Sequence, residues 1–137
     1  MNLINPDALA AAQIWAEAEG EPFFCKLGVG EAIRNRMRFR YSSDGTVAGT
    51  VARRFQFSSF NDDVGDNARL IKSLELDDED PVVRECIRAW RESVASGLVG
   101  TAVCYYAVTI PPPSWVPGME FVAQFGKTRF YRVKGAA

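Results

Sequence analysis

Glu17-Ala18-Glu19-Gly20-Glu21-Pro22 decides the reading of this chain. It sets a carboxylate on the last turn of an alanine-rich helix, breaks that helix at Gly20, and starts another at Pro22. Upstream, Asn5 reads as an N-cap, with Pro6 at the first helical position and Asp7 just inside. The run Ala10-Ala11-Ala12-Gln13-Ile14-Trp15-Ala16 carries no charge, so Glu17 arrives in an apolar setting. A carboxyl group there is costly to ionise, and its pKa is expected to rise. That suits a general acid, which must hold a proton near neutral pH. The plainer alternative is a solvated glutamate near a helix end. Glu21 follows four residues later and would share a face with Glu17 on a continuous helix. Gly20 and Pro22 interrupt that continuity, and Glu21 can equally cap the second helix and favour its positive N-terminal end.

The second helix carries Phe23, Leu27, Gly30, Ile33, Met37 and Tyr41 on one stripe. Gly28 and Gly30 inside it each weaken a helix by about 1 kcal/mol relative to alanine. Close packing against the first helix or a strand is the expected reason for them. Ser42-Ser43-Asp44-Gly45 is a turn, and a short helix is expected over Val47–Arg53. Phe55–Asn61 reads as an extended or loop segment rich in aromatics and Asn67–Leu74 as another short helix. Asp80-Pro81 opens an amphipathic helix with Val83, Cys86, Ile87, Trp90 and Val94 inward and Glu85, Arg88 and Glu92 toward water, ended by Gly97. The last third changes character. Ala102–Val108 is a strand candidate, Ile110-Pro111-Pro112-Pro113-Ser114-Trp115 can be neither helix nor central strand, and Phe121–Phe125 and Thr128–Val133 form two strands joined at Gly126-Lys127. Helices first, then a small antiparallel sheet, predict an α+β fold. With no linker or repeat, residues 1–137 read as a single domain.

Composition narrows the chemistry. The 137 residues are 47% hydrophobic with a net charge of −1, so no strong overall field draws the molecule to nucleic acid or a membrane. Charge is locally uneven. Asp62–Asp80 is acidic, Arg34, Arg36, Arg38, Arg40, Arg53 and Arg54 form one basic region, and Lys127, Arg129, Arg132 and Lys134 form another. The acidic segment opposes phosphate binding. There is no histidine, which removes Ser-His and Cys-His mechanisms and argues against a catalytic zinc. No metal or cofactor is expected. Cys25, Cys86 and Cys104 are odd in number and far apart, neither a CxxC pair nor a disulfide framework. Cys86, on the apolar stripe of its helix, is expected to be a buried thiol. No apolar run is long enough to cross a membrane, and the N-terminus shows no signal-peptide pattern.

Three further groups could line a site. Gln56-Phe57-Ser58 offers an amide, an aromatic and a hydroxyl. Tyr105-Tyr106 offers two phenols on or near a strand, and Trp115 follows three prolines that fix its place. Amides, hydroxyls and flat aromatic faces line carbohydrate clefts. An aromatic-rich core is the competing reading for each.

The order of these motifs resembles the SleB-type cell wall hydrolases, the spore-cortex-lytic enzyme family that also supplies phage endolysins. It runs E-A-x-G-E-P at Glu17–Pro22, A-I-x-N-R at Ala32–Arg36, Q-F-S at Gln56–Ser58, Y-Y at Tyr105-Tyr106, P-S-W at Pro113–Trp115 and G-x-x-x-F-Y-R at Gly126–Arg132. The resemblance spans about residues 8 to 133. It implies a lysozyme-like α+β fold that cleaves peptidoglycan glycan strands between N-acetylmuramic acid and N-acetylglucosamine, mostly as a lytic transglycosylase. It also implies that the first glutamate of the E-A-x-G-E motif, here Glu17, is the catalytic acid/base. The substrate-binding set it suggests is Glu21, Gln56, Phe57, Ser58, Tyr105, Tyr106 and Trp115. The chain departs from the pattern at Cys104 and Thr128, where such proteins usually carry histidine; both bear on substrate positioning and neither touches Glu17. The partner implied is the glycan strand, bound without nucleic acid or stable membrane insertion by a protein expected to be a monomer. Without a signal peptide, the protein is expected to be made in the cytoplasm and to act on the cell wall, as a phage lysin or virion-borne enzyme would. A degenerate cleft that grips glycan without cutting it is the competing class.

Overall fold

A computed structural model describes residues 5–51 and 79–135. Among the described residues four helices, α1 (Pro6–Ala18), α2 (Phe23–Phe39), α3 (Val47–Val51) and α4 (Pro81–Glu92), precede three strands, β1 (Cys104–Ala107), β2 (Met119–Phe125) and β3 (Thr128–Val133). The expected α+β layout is the observed one. The expectations for Phe55–Asn61 and Asn67–Leu74, and with them Gln56, Phe57 and Ser58, fall outside the described residues.

Local chemistry sets the helix ends. The Asn5 side chain accepts a hydrogen bond from the Asp7 amide at 2.8 Å, which satisfies one of the orphan donors at the start of α1. Asp80 does the same for α4, accepting from Val82 N at 2.9 Å and Val83 N at 3.2 Å. The indole of Trp90 donates to Asp7 at 2.8 Å and so ties the two helix starts together. α1 is buried along almost its whole length, from Leu9 to Ala16 and again at Ala18. Five alanines there let α2, α3 and α4 approach from different sides. Ile14, Val29, Ile33, Val83, Cys86, Trp90, Val99 and Phe130 form the core they enclose.

The glycines of α2 mark the two closest approaches. A Cβ on Gly28 would lie 2.6 Å from the ring of Phe130 on β3, and one on Gly30 would lie 3.1 Å from Ser93 and 3.5 Å from Ile14 of α1. A strand therefore takes one glycine, and a helix with the end of α4 takes the other.

β3 is the central strand, antiparallel to both neighbours, in the order β1-β3-β2. Tyr105 pairs with Phe130 and Tyr106 with Arg129. On the other side Phe121 stands opposite Tyr131 and Ala123 opposite Phe130, with a bulge between them at Val122. Side chains alternate across a strand. One face of the sheet, with Tyr105, Phe125, Thr128 and Phe130, turns to α2. The other carries Tyr106, Phe121, Arg129 and Tyr131.

Three expectations need correction. Val94 is 69% exposed, because α4 ends at Glu92 and Ser93 takes the inward place instead. Glu85 does not simply face water: its carboxylate lies 3.8 Å from the ammonium of Lys26, a buried lysine on α2. Tyr41 is beyond α2, which stops where Arg40 adopts a left-handed conformation at φ 51°.

Gly28→Ala should lower the stability by about 1–3 kcal/mol, since overpacking costs that much and exceeds the gain of about 1 kcal/mol in helix propensity. Phe130 is fully buried and cannot give way. Thermal unfolding of the two proteins checks it; an equal or higher midpoint for the variant contradicts the close packing.

Candidate active site

Glu17 lies on the last turn of α1, half-buried. Its Oε1 accepts a hydrogen bond from the Gln13 amide at 3.0 Å. Gln13 is itself fully buried, one turn earlier on the same helix face. The phenol of Tyr105 comes in from β1. Burial pushes its pKa well above the usual range, the charge of Glu17 pushes the same way, and Arg36 and the Gln13 amide pull it partly back. Tyr105 is thus within electrostatic range of both α1 side chains.

The second wall comes from α2. Cys25 is fully buried, and its thiol donates to the Thr128 hydroxyl of β3 at 3.0 Å. Burial pushes the thiol up to about 11; the Thr128 bond opposes this, while the charges of Glu21 and Glu17 add to it. Thr128, at one of the two positions where the family resemblance suggests histidine, is therefore a neutral partner for a neutral thiol. Cys104, at the other, accepts from Arg36 at 3.6 Å and donates to the Tyr41 hydroxyl at 3.7 Å.

Glu21 has a different task from Glu17. Its Oε1 accepts from the Lys127 amide at 2.9 Å, and its Oε2 lies 3.3 Å from where a Gly126 Cβ would stand. It latches the β2–β3 turn, whose Gly126 has φ 55°, to the break between α1 and α2. It does not cap α2: the N-cap position is Pro22, without a side-chain capping bond. The backbone carbonyl of Glu21 in turn accepts from the Lys26 ammonium.

The two tyrosines part company. Tyr105 joins the Glu17 neighbourhood and packs on Phe130 at 5.8 Å between centroids. Tyr106 goes to the other face of the sheet, where it stacks with Tyr131 at 5.9 Å and meets Trp115 edge-on at 6.0 Å. Trp115 also packs edge-on against Tyr131 at 5.4 Å, and Arg129 lies 4.4 Å over Phe121. Tyr106 and Tyr131 are both buried, so this second group has the character of a small outer core with Trp115 on its rim.

Gln13 was not singled out as a site residue by sequence reasoning. Its signal is the lone polar side chain in an apolar run, four residues before Glu17. Cys25 had no such signal; only the fold brings it to Thr128. A cleft of about 530 Å³ lies elsewhere, beside the C-terminal half of α2, with Glu31, Arg34, Asn35, Arg38 and Val94 among its lining. Glu17 takes no part in it. Glu31, Arg34 and Asn35 there are engaged in bonds to the chain between Trp90 and Ala102.

Helices packed on one face of a small antiparallel sheet thus set a half-buried glutamate at a helix break. The chain belongs to the cell wall hydrolase family, whose model matches residues 20–131. That match begins just after Glu17. The fold is similar to the catalytic domain of the germination-specific lytic transglycosylase SleB from Bacillus anthracis, with a TM-score of 0.72, 19% identity and 93% of each chain covered. It is also similar to the catalytic domain of the Bacillus cereus SleB protein, with a TM-score of 0.73, 20% identity, 94% of this chain and 91% of that one covered. Among curated proteins none matches.

The buried thiols make a testable pair. Burial lifts Cys25 to about 11 and Cys86 to about 12, both from 9.0. A group whose folded pKa is raised contributes stability that is fully present below the unfolded value and lost as pH rises through the folded one. The contribution is therefore constant below about pH 9 and fades between 9 and 11–12. Neither thiol should react with an aromatic disulfide reagent at pH 8 until denaturant is added. Rapid labelling of native protein at either position contradicts this placement.

Proposed function

We propose that this chain is a peptidoglycan-degrading enzyme that cuts the glycan strand between N-acetylmuramic acid and N-acetylglucosamine as a lytic transglycosylase, with Glu17 as its acid/base. The observation that carries the proposal is the setting of Glu17: a half-buried carboxyl at the end of α1, oriented by a buried amide, in a member of the cell wall hydrolase family. The Bacillus anthracis neighbour, itself a lytic transglycosylase, supports the choice of reaction.

The chemistry needs one carboxyl. Glu17 gives its proton to the glycosidic oxygen as the bond from that oxygen to the muramoyl anomeric carbon breaks. The resulting carboxylate then takes the proton of the muramoyl 6-hydroxyl while that oxygen bonds to the anomeric carbon and closes an anhydro ring. An internal nucleophile is already in place and needs no separately activated water. A lysozyme-type hydrolysis is the second reading. It calls for a partner carboxylate at about 5–5.5 Å or about 6.5–9.5 Å, and Glu21 is the candidate from sequence. The bond from Lys127 N to Glu21 favours the single-carboxyl route. Gln56, Phe57, Ser58 and Tyr105 complete the proposed glycan site, with Trp115 and Tyr106 on the far side of β1. The wider proposal is a phage lysin or virion-borne enzyme that acts on the wall.

Glu17→Gln should keep the fold, seen by circular dichroism, and cut turnover of purified peptidoglycan by at least about 100-fold, because general acid–base catalysis is worth about 10²–10⁴. Mass spectrometry of wild-type products should find 1,6-anhydromuramic ends, lighter by one water than hydrolysis products. Reducing muramic ends alone mean a lysozyme. A Glu17→Gln protein with near wild-type turnover overturns the assignment, and an inert wild-type protein that still binds glycan supports the gripping reading.

A further inference from the structure

We propose that Gln13 is the positioning residue of Glu17: its amide reserves Oε1 as an acceptor, so that the transferable proton is carried and recovered at Oε2. The inference rests on the assignment of Glu17 as acid/base and adds to it a residue that neither the motifs nor the resemblance points to.

Three observations converge on Gln13. Its amide nitrogen stands 3.0 Å from Oε1 of Glu17. It is fully buried, and a buried amide costs free energy unless it is hydrogen-bonded. The other inward residues of α1 are apolar, so packing alone calls for no amide at this point. Gln13 and Glu17 are four apart on one helix, which brings the side chains together without any help from the loops. The amide is further embraced by Tyr105, whose phenol interacts with both Gln13 and Glu17. α1 and β1 thus hold the amide from two sides, and the amide holds the carboxyl.

The consequence for proton transfer follows from donor chemistry. An amide N–H can only donate, so Oε1 must offer a lone pair, and a proton on Glu17 sits on Oε2. When Oε2 gives its proton to the glycosidic oxygen, the charge that develops is already met by the amide at Oε1. When the 6-hydroxyl returns a proton, Oε2 receives it and the starting state is restored. Donation to the charged form also favours that form. Gln13 therefore holds the pKa of Glu17 below the value that burial alone would set.

Among the described residues, ionisable groups that interact with Glu17 include Cys25 from α2 and Tyr105 from β1, with Glu21, Lys26 and Arg36 acting on these two in turn. Cys25, at about 11, stays protonated through the neutral range. So does Tyr105, which is pushed well above 10.0.

The test compares kcat, KM and the pH profile of wild-type protein, Gln13→Met and Gln13→Glu on soluble glycan-strand fragments. Methionine fills the same space without a donor. kcat should fall about tenfold, a part of what a well-placed general acid is worth, and KM should stay within about twofold. A general acid must be protonated, so activity falls as pH rises through its pKa. Loss of the amide raises that pKa, and the alkaline limb of kcat/KM should move up by about one unit. Gln13→Glu keeps the shape and sets two carboxyls to share a proton, which should move the limb up further. An unmoved limb in both variants overturns the proposal, whether or not kcat or the melting temperature falls, since a packing role alone leaves the profile in place. The failure of the underlying assignment is separate: there Glu17→Gln itself remains active.

Discussion

One stretch of α2 holds the rest of the molecule in register. Glu31, Arg34, Asn35 and Arg36 each reach to the chain that runs from the end of α4 to the start of β1. Arg34 lies 3.7 Å over the Trp90 ring and donates to the Trp90 carbonyl and the Ser93 hydroxyl, both at 2.7 Å. Glu31 accepts from the Ser96 hydroxyl and, at 2.8 Å, from the Val99 amide. Asn35 donates to the carbonyls of Gly100 at 2.9 Å and Ala102 at 2.8 Å, and Arg36 donates to that of Val103. Hydrogen bonds to charged groups contribute about 1.5–3 kcal/mol each. The larger effect is geometric. A one-residue slip in β1 exchanges its faces, and would send Tyr105 outward and Tyr106 toward Glu17. The clamp on residues 90–103 fixes which tyrosine meets Glu17.

The same clamp explains why a string of arginines does not make a basic surface. Read along the sequence, Arg34, Arg36, Arg38 and Arg40 look like a patch. On a helix, steps of two residues scatter around the axis. Arg34 caps the end of α4, Arg36 is buried beneath β1, and Arg40 leaves the helix to donate to the Asp44 carbonyl at 2.6 Å. The groups that seemed to advertise a charged partner are mostly spent on internal bonds.

Local signals carried the fold well. Asn5-Pro6, Asp80-Pro81, the two glycines of α2 and the Gly126-Lys127 turn were legible because each is decided within a few residues by capping, φ or close approach. The end of α4 was not. Apolar periodicity runs on to Val94, while the helix stops where Arg34, a residue far away in sequence, takes the Trp90 carbonyl and the Ser93 hydroxyl. The candidate site was legible in part for the same reason. Glu17 stands out against an apolar run, and the resemblance names its role. Which of Tyr105 and Tyr106 approaches it depends on strand register, and period-two alternation alone cannot say which face is inward. Glu21 looked like a cap or a second acid. Its bond to Lys127 joins residues 106 apart in sequence, beyond the reach of any motif.

The acid/base role proposed for Glu17 calls for control by neighbouring groups, and the chain has no histidine to supply it. Around Glu17 the described chain supplies an amide, a phenol and, one layer out, a thiol bonded to a threonine hydroxyl. None of these changes charge near neutral pH: the amide cannot, and burial holds both the phenol and the thiol in their protonated forms. An imidazole among them would add a group that titrates near neutral pH. The amide and the phenol present fixed dipoles to Glu17. Preorganised dipoles of this kind need no reorganisation as charge develops, which is where electrostatic catalysis draws most of its effect. The Glu21 latch and the Cys25–Thr128 bond build the walls around Glu17. Between them they tie β3 and the hairpin turn to the helix break that follows Glu17, so the sheet that presents Tyr105 cannot drift from the helix that presents Glu17.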